Sequence, residues 1–174
     1  MISNRLLINL TIFFVLVSSI GCDQISKNYV RSTIPLNEQF LFFGDRVMLT
    51  RVENSGAFLS LGNDLAVPVK FFVLVLVPFL ALMVGLYFLF VKSNLSKSTR
   101  IALSFVVGGG IGNIYDRYIY GSVTDFVHVD LGLIRTGIFN LADVSIMTGV
   151  LIILMTYIIR LNRFESGLDG NSLS

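Results

Sequence analysis

Long apolar stretches, separated by polar connections, set the pattern of this 174-residue chain. A membrane-spanning helix needs about 20 mostly apolar residues, and four stretches meet or approach that length. The predicted spans are 6–22, 66–91, 101–120 and 138–159. The third is the weakest, because its apolar part is short before Asp116 interrupts it. The pattern predicts an α-helical membrane protein with four transmembrane helices.

Composition supports the prediction of a membrane protein and argues against some other classes. Hydrophobic residues make up 54% of the chain and charged residues only 14%, whereas a soluble domain carries about 25% charged residues. The net charge of +2 is too small to indicate nucleic-acid binding. The one cysteine, Cys22, excludes an intrachain disulfide. We expect a single domain over residues 1–163, followed by a flexible cytoplasmic tail at 164–174.

The first span has an alternative interpretation as a cleaved signal peptide, because Arg5 precedes a short apolar core. The pair Gly21-Cys22 even resembles the cleavage motif of a bacterial lipoprotein. Two observations argue against this. Ser19 stands where leucine is usual in that motif, and three further spans follow, whereas a mature lipoprotein is normally soluble.

Basic residues predict the orientation, since Lys and Arg in short loops favour the cytoplasmic side. The nine residues that link spans two and three include Lys92, Lys97 and Arg100 and no acid. Arginines also precede the first span and follow the fourth. We therefore expect both termini in the cytoplasm.

The two connections on the opposite side differ in length. In the longer one, residues 23–65, apolar and polar positions alternate loosely around Gly44-Asp45, which predicts a hairpin of two short strands. In the shorter one, residues 121–137, Phe126, Val127 and Val129 indicate another extended piece. We expect a small extracytoplasmic β-sheet cradle at the membrane surface.

Polar residues concentrate between Gly108 and Asp143, where the surrounding chain is apolar. Such groups are costly at membrane depth and are usually kept where they act. Asn140 reads as the N-cap of the fourth span and Asp143 as an acid in its first turn, which could be a helix-start device alone. Asp125, just past the third span, could likewise be a solvated turn residue.

The topology of the chain strengthens the functional interpretation of these two aspartates. The third and fourth spans are joined on one side of the membrane only, so Asp125 and Asp143 emerge on the same side. Two carboxylates that meet in a low-dielectric setting tend to share one proton. The ionised one can take a proton from water while the protonated one polarises a carbonyl. The pair would hydrolyse a peptide bond without a metal or a cofactor.

The neighbouring polar and small residues have simpler explanations. Gly108 and Gly112, four residues apart, allow a neighbouring helix to approach closely. Asn113 and Arg117 share a helix face, which directs them at the bundle interior or at the membrane boundary. Asp116 reads as structural.

Two further features receive structural interpretations. Asp23 and Lys27 form an i,i+4 pair that could anchor the end of the first span at the membrane interface. His128, the only histidine, lacks nearby partners for a metal site and reads as a loop residue.

Four motifs, taken together, resemble bacterial lipoprotein signal peptidase (signal peptidase II), and they follow the order of that family. They are Asp23-Gln-x-x-Lys27, Asn54-x-Gly56-Ala57-Phe58, Gly112-Asn113-x-x-Asp116-Arg117 with Asp125-Phe126 after it, and Phe139-Asn140-x-Ala142-Asp143. The resemblance implies an aspartic membrane protease. It would remove the signal peptide from prolipoproteins, cutting before a cysteine that carries diacylglycerol.

The resemblance also implies roles for particular residues. Its catalytic pair corresponds to Asp125 and Asp143. The positions that match the family's binding site are Asn54, Gly56, Asn113, Arg117 and Asn140. The residues expected to support the site are Asp23, Lys27, Gly108 and Asp116.

The same resemblance implies partners and location. We expect lipid-modified prolipoproteins, membrane lipids and globomycin-type inhibitors as ligands, no nucleic acid, no cofactor, and no requirement for an oligomer. The expected location is the bacterial cytoplasmic (inner) membrane, with the site near its outer face. A short helix lying on the membrane is also implied within 23–65. Within the second connection, His128 and Thr136-Gly137-Ile138 depart from the family pattern.

Two other function classes remain open from the residues alone. A small ion or solute transporter or channel could use intramembrane charges, although here the charges gather at one boundary instead of deep within several spans. A scaffold or lipid-binding subunit would tolerate carboxamides at both aspartates.

Overall fold

The computed structural model describes residues 4–57, 62, 64–91 and 94–171, with only the main chain described for 4 and 164–171. The helices are α1 (Asn4–Thr33), α2 (Val67–Phe71), α3 (Val77–Phe90), α4 (Lys97–Tyr120) and α5 (Leu141–Asn171). The strands are β1 (Gln39–Phe42), β2 (Val47–Asn54) and β3 (Val123–Val129). A π-helical segment, Phe72–Leu76, joins α2 to α3.

Three helical stretches are long and apolar enough to cross a membrane: Arg5–Thr33, Val67–Phe90 and Leu141–Arg163. They correspond to the first, second and fourth predicted spans. Helix α4 has 24 residues but is not among the three, because glycines and polar residues dilute its apolar character. It lies at the centre of the bundle and packs against α1, α3 and α5. Its crossing of the membrane stays a prediction.

Helix α1 continues past Cys22, where the predicted first span ends, to Thr33. The apolar run ends at Cys22, but buried positions continue at helical spacing with Asp23, Lys27 and Val30. The inward face of this part is polar, which hid the helix from an apolar-run criterion. The fourth span begins at Leu141 instead of 138, and α5 continues to Asn171, through residues expected to form a tail. The flexibility of 164–174 stays a prediction.

Glycines set the distance between α4 and its neighbours. A Cβ atom added at Gly108 would lie 2.7 Å from the Cβ of Ser19 on α1, and one at Gly112 would overlap the carboxylate of Asp23. A Cβ at Gly109 would overlap the main-chain carbonyl of Ala142 on α5. The predicted packing role of Gly108 and Gly112 is therefore confirmed.

The predicted hairpin and the third extended piece form one antiparallel sheet in the order β1-β2-β3. Gln39 pairs with Thr50 and Phe42 with Val47, and Gly44 in the tight turn has a positive φ of 65°. His128 lies on β3 opposite Met48, so the expectation of a loop position was wrong.

The sheet packs on the end of α1 through a small apolar cluster. Val30 and Ile34 at the end of α1 meet Phe126 of β3, with Leu49 and Val127 at the margin. This contact fixes β3 close to the ends of α4 and α5. Residues 58–61 and 63, and with them Phe58 of the second motif, lie outside the described residues, and the expected short surface helix stays a prediction.

Candidate active site

A cavity of about 350 Å³ opens where the π-helical segment, α4, β3 and the start of α5 meet. Both predicted catalytic aspartates and four of the five predicted binding residues line it. The lining residues are Asn54, Ala57, Val73, Leu74, Pro78, Asn113, Arg117, Val123, Asp125, Ile138, Asn140 and Asp143. The fifth, Gly56, lies one contact away, because its N–H donates to Asn54 Oδ1 at 3.0 Å.

The start of α5 holds Asp143 in place. The main-chain N–H of Asp143 donates to Asn140 Oδ1 at 3.0 Å, and the main-chain N–H of Asn140 donates to Asp143 Oδ2 at 3.2 Å. This reciprocal arrangement is a capping box, so the predicted N-cap is confirmed. Asp23 on α1 caps a further free N–H, that of Ala142, through Oδ1 at 2.9 Å. The carboxylate of Asp143 is thus fixed by the same bonds that begin the helix.

Asp125 lies on β3, where it accepts two amide hydrogen bonds. Asn54 Nδ2 donates to Oδ2 at 3.0 Å and Asn140 Nδ2 donates to Oδ1 at 2.7 Å. Burial raises the pKa of Asp125 to about 6, and the nearby charge of Asp143 adds to the rise. The two amide hydrogen bonds oppose it by stabilising the ionised form. Asn140 contacts both carboxylates and so couples their positions.

Asn113 on α4 links the site to a second polar group. Lys27 Nζ donates to Asn113 Oδ1 at 3.0 Å, and Asn140 Nδ2 donates to the same oxygen at 3.3 Å. Because lysine can only donate, the amide of Asn113 must turn its Nδ2 the other way. That nitrogen donates to Asp143 Oδ1 at 2.9 Å.

The second polar group is a cluster of charges, here called the charged cluster: Asp23, Lys27, Arg31 and Asp116. Lys27 Nζ lies 2.8 Å from Asp23 Oδ2 and 3.0 Å from Asp116 Oδ2, and Arg31 Nη2 lies 3.0 Å from the same Asp116 oxygen. The side chains of Asp23, Lys27 and Asp116 are fully buried. The prediction that Asp23 and Lys27 anchor the membrane interface was wrong, because the helix continues past them and turns them inward.

Arg117 spans the mouth of the cavity. Its Nη2 donates to the Gly56 carbonyl at 2.9 Å and its Nη1 to the Asn113 carbonyl at 3.4 Å. Nε is buried and has no hydrogen-bond partner among the described residues. Arg117 therefore fastens the end of β2 to α4 and brings a positive charge to the cavity.

Four supporting residues escaped the sequence analysis. Gln24 Nε2 donates to Asp116 Oδ1 at 3.1 Å, and Arg31 Nε donates to Thr124 Oγ1 at 2.7 Å. Thr124 in turn donates to Glu53 Oε1 at 3.0 Å, which ties β3 to β2 beside Asp125. Arg31 could have been found, because Asp23, Lys27 and Arg31 recur every four residues and so share a helix face. Gln24 had a signal as well, because it is a fixed position of the motif Asp23-Gln-x-x-Lys27, whereas Glu53 and Thr124 carry none.

The arrangement suits chemistry by carboxylates. The described residues contain no group of three or more His, Cys, Asp or Glu side chains able to hold a metal ion. The hydrogen bonds described for the Asp125 and Asp143 carboxylates come from amides and not from cations. Two such carboxylates at the edge of an apolar wall can share a proton and act on a water.

Comparisons with known proteins agree on one family. The sequence pattern of the family described as "Signal peptidase (SPase) II" matches residues 15–159. A "Lipoprotein signal peptidase" of Borrelia duttonii (strain Ly) is 32% identical over 161 residues, covering 89% of each chain. One of Streptococcus pyogenes serotype M1 is 34% identical over 140 residues, covering 80% of this chain and 88% of its own.

A solved structure is similar as well. It is titled as a bacterial membrane enzyme studied by the in meso method, and it superposes with a TM-score of 0.76 at 26% identity. The superposition covers 88% of this chain and 90% of the other.

Proposed function

Because the chain belongs to the signal peptidase II family of membrane proteases, we propose a mechanism by which it removes signal peptides from prolipoproteins. Asp125 and Asp143 act together on one water, and the cut falls before the lipid-modified cysteine. The observation that carries this proposal is that both carboxylates line one cavity and are connected through Asn140.

The two aspartates take different parts. Asp125, whose pKa burial raises to about 6, holds the shared proton and donates it to the oxygen of the scissile carbonyl. Asp143 removes a proton from the water, whose oxygen bonds to the carbonyl carbon. The carbonyl then re-forms as one hydroxyl of the intermediate returns its proton to Asp125, the carbon–nitrogen bond breaks, and the proton on Asp143 passes to the departing amine of the cysteine. Water is consumed and both carboxyl groups return to their starting states.

The remaining predicted site residues hold the two carboxylates, border the cavity or support it from behind. Asn54, Asn113 and Asn140 hold the carboxylates through amide hydrogen bonds. Arg117 and Gly56 form the rim that the peptide crosses. Asp23, Lys27, Gly108 and Asp116 support the site from behind by fixing α1 against α4.

In this proposal the chain crosses the cytoplasmic membrane of a bacterium four times, with α4 as the third crossing. Both termini lie in the cytoplasm, and the cavity lies near the outer face. Lys92 before α4 and Lys97 and Arg100 at its start support that orientation. In a Cys22→Ser background, a cysteine placed at Ser96 should react with an impermeant thiol reagent from the cytoplasmic side only. Reaction from the outside would reverse the orientation.

A purified preparation in lipid tests the activity. Incubation with a diacylglyceryl-cysteine precursor should release the signal peptide, as read by mass, and globomycin should block release. The same precursor without diacylglycerol should stay uncut. Flux of ions or solutes through liposomes, with no peptide product, would instead favour a transporter or channel.

A further inference from the structure

The wall of the cavity opposite the aspartates is an irregular helix. Between α2 and α3, Phe72–Leu76 adopts π-helical geometry, and the N–H of Val77 donates to the carbonyl of Phe72 five residues back. π-helical turns are rare and occur frequently at functional sites. Val73, Leu74 and Pro78 from this region all line the cavity that holds Asp125 and Asp143.

This geometry takes both regular helical donors away from the carbonyl of Val73. In an α-helix the carbonyl of Val73 would accept from the N–H of Val77, but that N–H donates to Phe72. In a π-helix it would accept from residue 78, which is a proline and has no N–H. Both regular partners are therefore lost to Val73. Val73 and Pro78 both line the cavity that holds the aspartates.

A free carbonyl at membrane depth needs another donor. Lipid offers none, and unsatisfied main-chain groups persist in membranes only where they line a cavity or meet a partner. The substrate, by contrast, has donors that lack acceptors. A signal peptide must be extended around the scissile bond to enter the cavity, which leaves its main-chain N–H groups without helical acceptors.

We propose that the Val73 carbonyl accepts a main-chain N–H of the signal peptide and so holds the segment before the cysteine in extended form beside the aspartates. Pro78 is then a positioning residue, because its missing N–H keeps that carbonyl available. A hydrogen bond to the main chain does not depend on which side chain the substrate carries, which suits an enzyme that accepts different signal peptides. This inference rests on the proposed function, since it assigns part of the binding surface for the same substrate.

Pro78→Ala tests the idea, because it returns an N–H that can occupy a carbonyl in this turn. Replacing proline inside a helix should leave the protein at least as resistant to heat as the wild type. The specificity constant kcat/KM for a lipid-modified precursor should nevertheless fall by about three- to tenfold, the usual range for one hydrogen bond.

Pro68→Ala is the matched control. Pro68 lies in the first turn of α2, where an N–H has no acceptor within the helix, and it does not line the cavity. Its kcat/KM should equal that of the wild type. Equal kcat/KM for Pro78→Ala and the wild type would overturn the inference.

Ester substrates separate a hydrogen bond from a change of helix shape. In a series of precursors, each residue before the cysteine in turn has its N–H replaced by an ester oxygen, while the scissile amide is kept. One ester should lower kcat/KM for the wild type by the same factor as Pro78→Ala, and should lower it little further for that variant. If every ester affected the two enzymes equally, the Val73 carbonyl would not be the acceptor.

Binding to an inactive enzyme keeps this test independent of the chemistry. The dissociation constant of the precursor is measured on Asp125→Asn with and without Pro78→Ala. Weaker binding with the second substitution supports the carbonyl contact even if the roles of the aspartates are wrong. Unchanged binding overturns the contact even if Asp125 proves essential for cleavage.

Discussion

Two groups of carboxylates lie side by side in this protein and differ in their partners. In the charged cluster, Asp23 and Asp116 meet Lys27 and Arg31 at 2.8–3.0 Å, and the interior around them is filled. In the cavity, Asp125 and Asp143 accept from amides, and among the described residues neither forms an ion pair. Asn113 contacts both groups.

The difference in partners separates structure from chemistry. A carboxylate that pairs with a buried cation is costly to disturb, because removing the cation leaves a buried charge without its partner. A carboxylate that meets only amides beside an open cavity can still exchange a proton, and the pKa of Asp125 is raised toward neutrality. We therefore expect substitutions in the charged cluster to lower stability first, and substitutions in the cavity to lower turnover first.

The largest expected effect comes from the cavity. Asp125→Asn and Asp143→Asn should each lower kcat for a lipid-modified precursor by about 10³-fold or more, because each removes a proton-transfer group. The melting temperature should change little, since a carboxamide can keep part of the hydrogen bonding. Turnover and thermal unfolding are measured on the same preparations.

The double variant sharpens this result. If the two aspartates act as one device, Asp125→Asn with Asp143→Asn should be no slower than either single variant, since such effects are strongly non-additive. Full turnover in either single variant would refute the pair.

Lys27→Met should have the opposite effect to the cavity variants and lower stability first. It leaves Asp23 and Asp116 buried with one cation fewer, and breaking a buried pair typically costs about 3–5 kcal/mol of unfolding free energy. Thermal unfolding in detergent should show a clear fall in melting temperature. Lys70→Met is the control, because Lys70 is half-buried and donates to the hydroxyl of Ser55 at 3.1 Å. An equal melting temperature for Lys27→Met and the wild type would remove the contrast between the two groups.

The smallest expected effect is on the pH dependence of kcat/KM. Asp125 binds its proton below its pKa of about 6 and loses it above, so kcat/KM should fall as pH rises through that region. Asn54 stabilises the ionised form, so Asn54→Ala should move the fall to higher pH and lower the maximum about two- to tenfold. Rate–pH curves for both enzymes test this. Thr148→Ala, whose hydroxyl bonds only within its own helix, should follow the wild-type curve, and an unmoved curve for Asn54→Ala would contradict the role of Asp125.

Much of the fold follows from local pattern. The apolar runs predicted three of the helices long enough to span, and alternation around Gly44 predicted the hairpin that β1 and β2 form. The helix after Cys22 was missed because its inward face carries charges that are paired only after α4 arrives. The π-helical turn was missed because Pro78 shows where a donor is absent but not which carbonyl loses it.

The residues able to carry chemistry could be identified from the polar motifs alone, since Asp125, Asn140 and Asp143 stand in them within an apolar chain. The sequence also predicted that Asp125 and Asp143 lie on the same side of the membrane, because a single connection joins α4 to α5. The tertiary structure alone decided how their neighbours pair. Asp116 meets Lys27 across helices, whereas Asp125 meets Asn54 across strands. These contacts join residues about 70 to 90 positions apart, and burial, which raises the pKa of Asp125, exists only once those elements have packed.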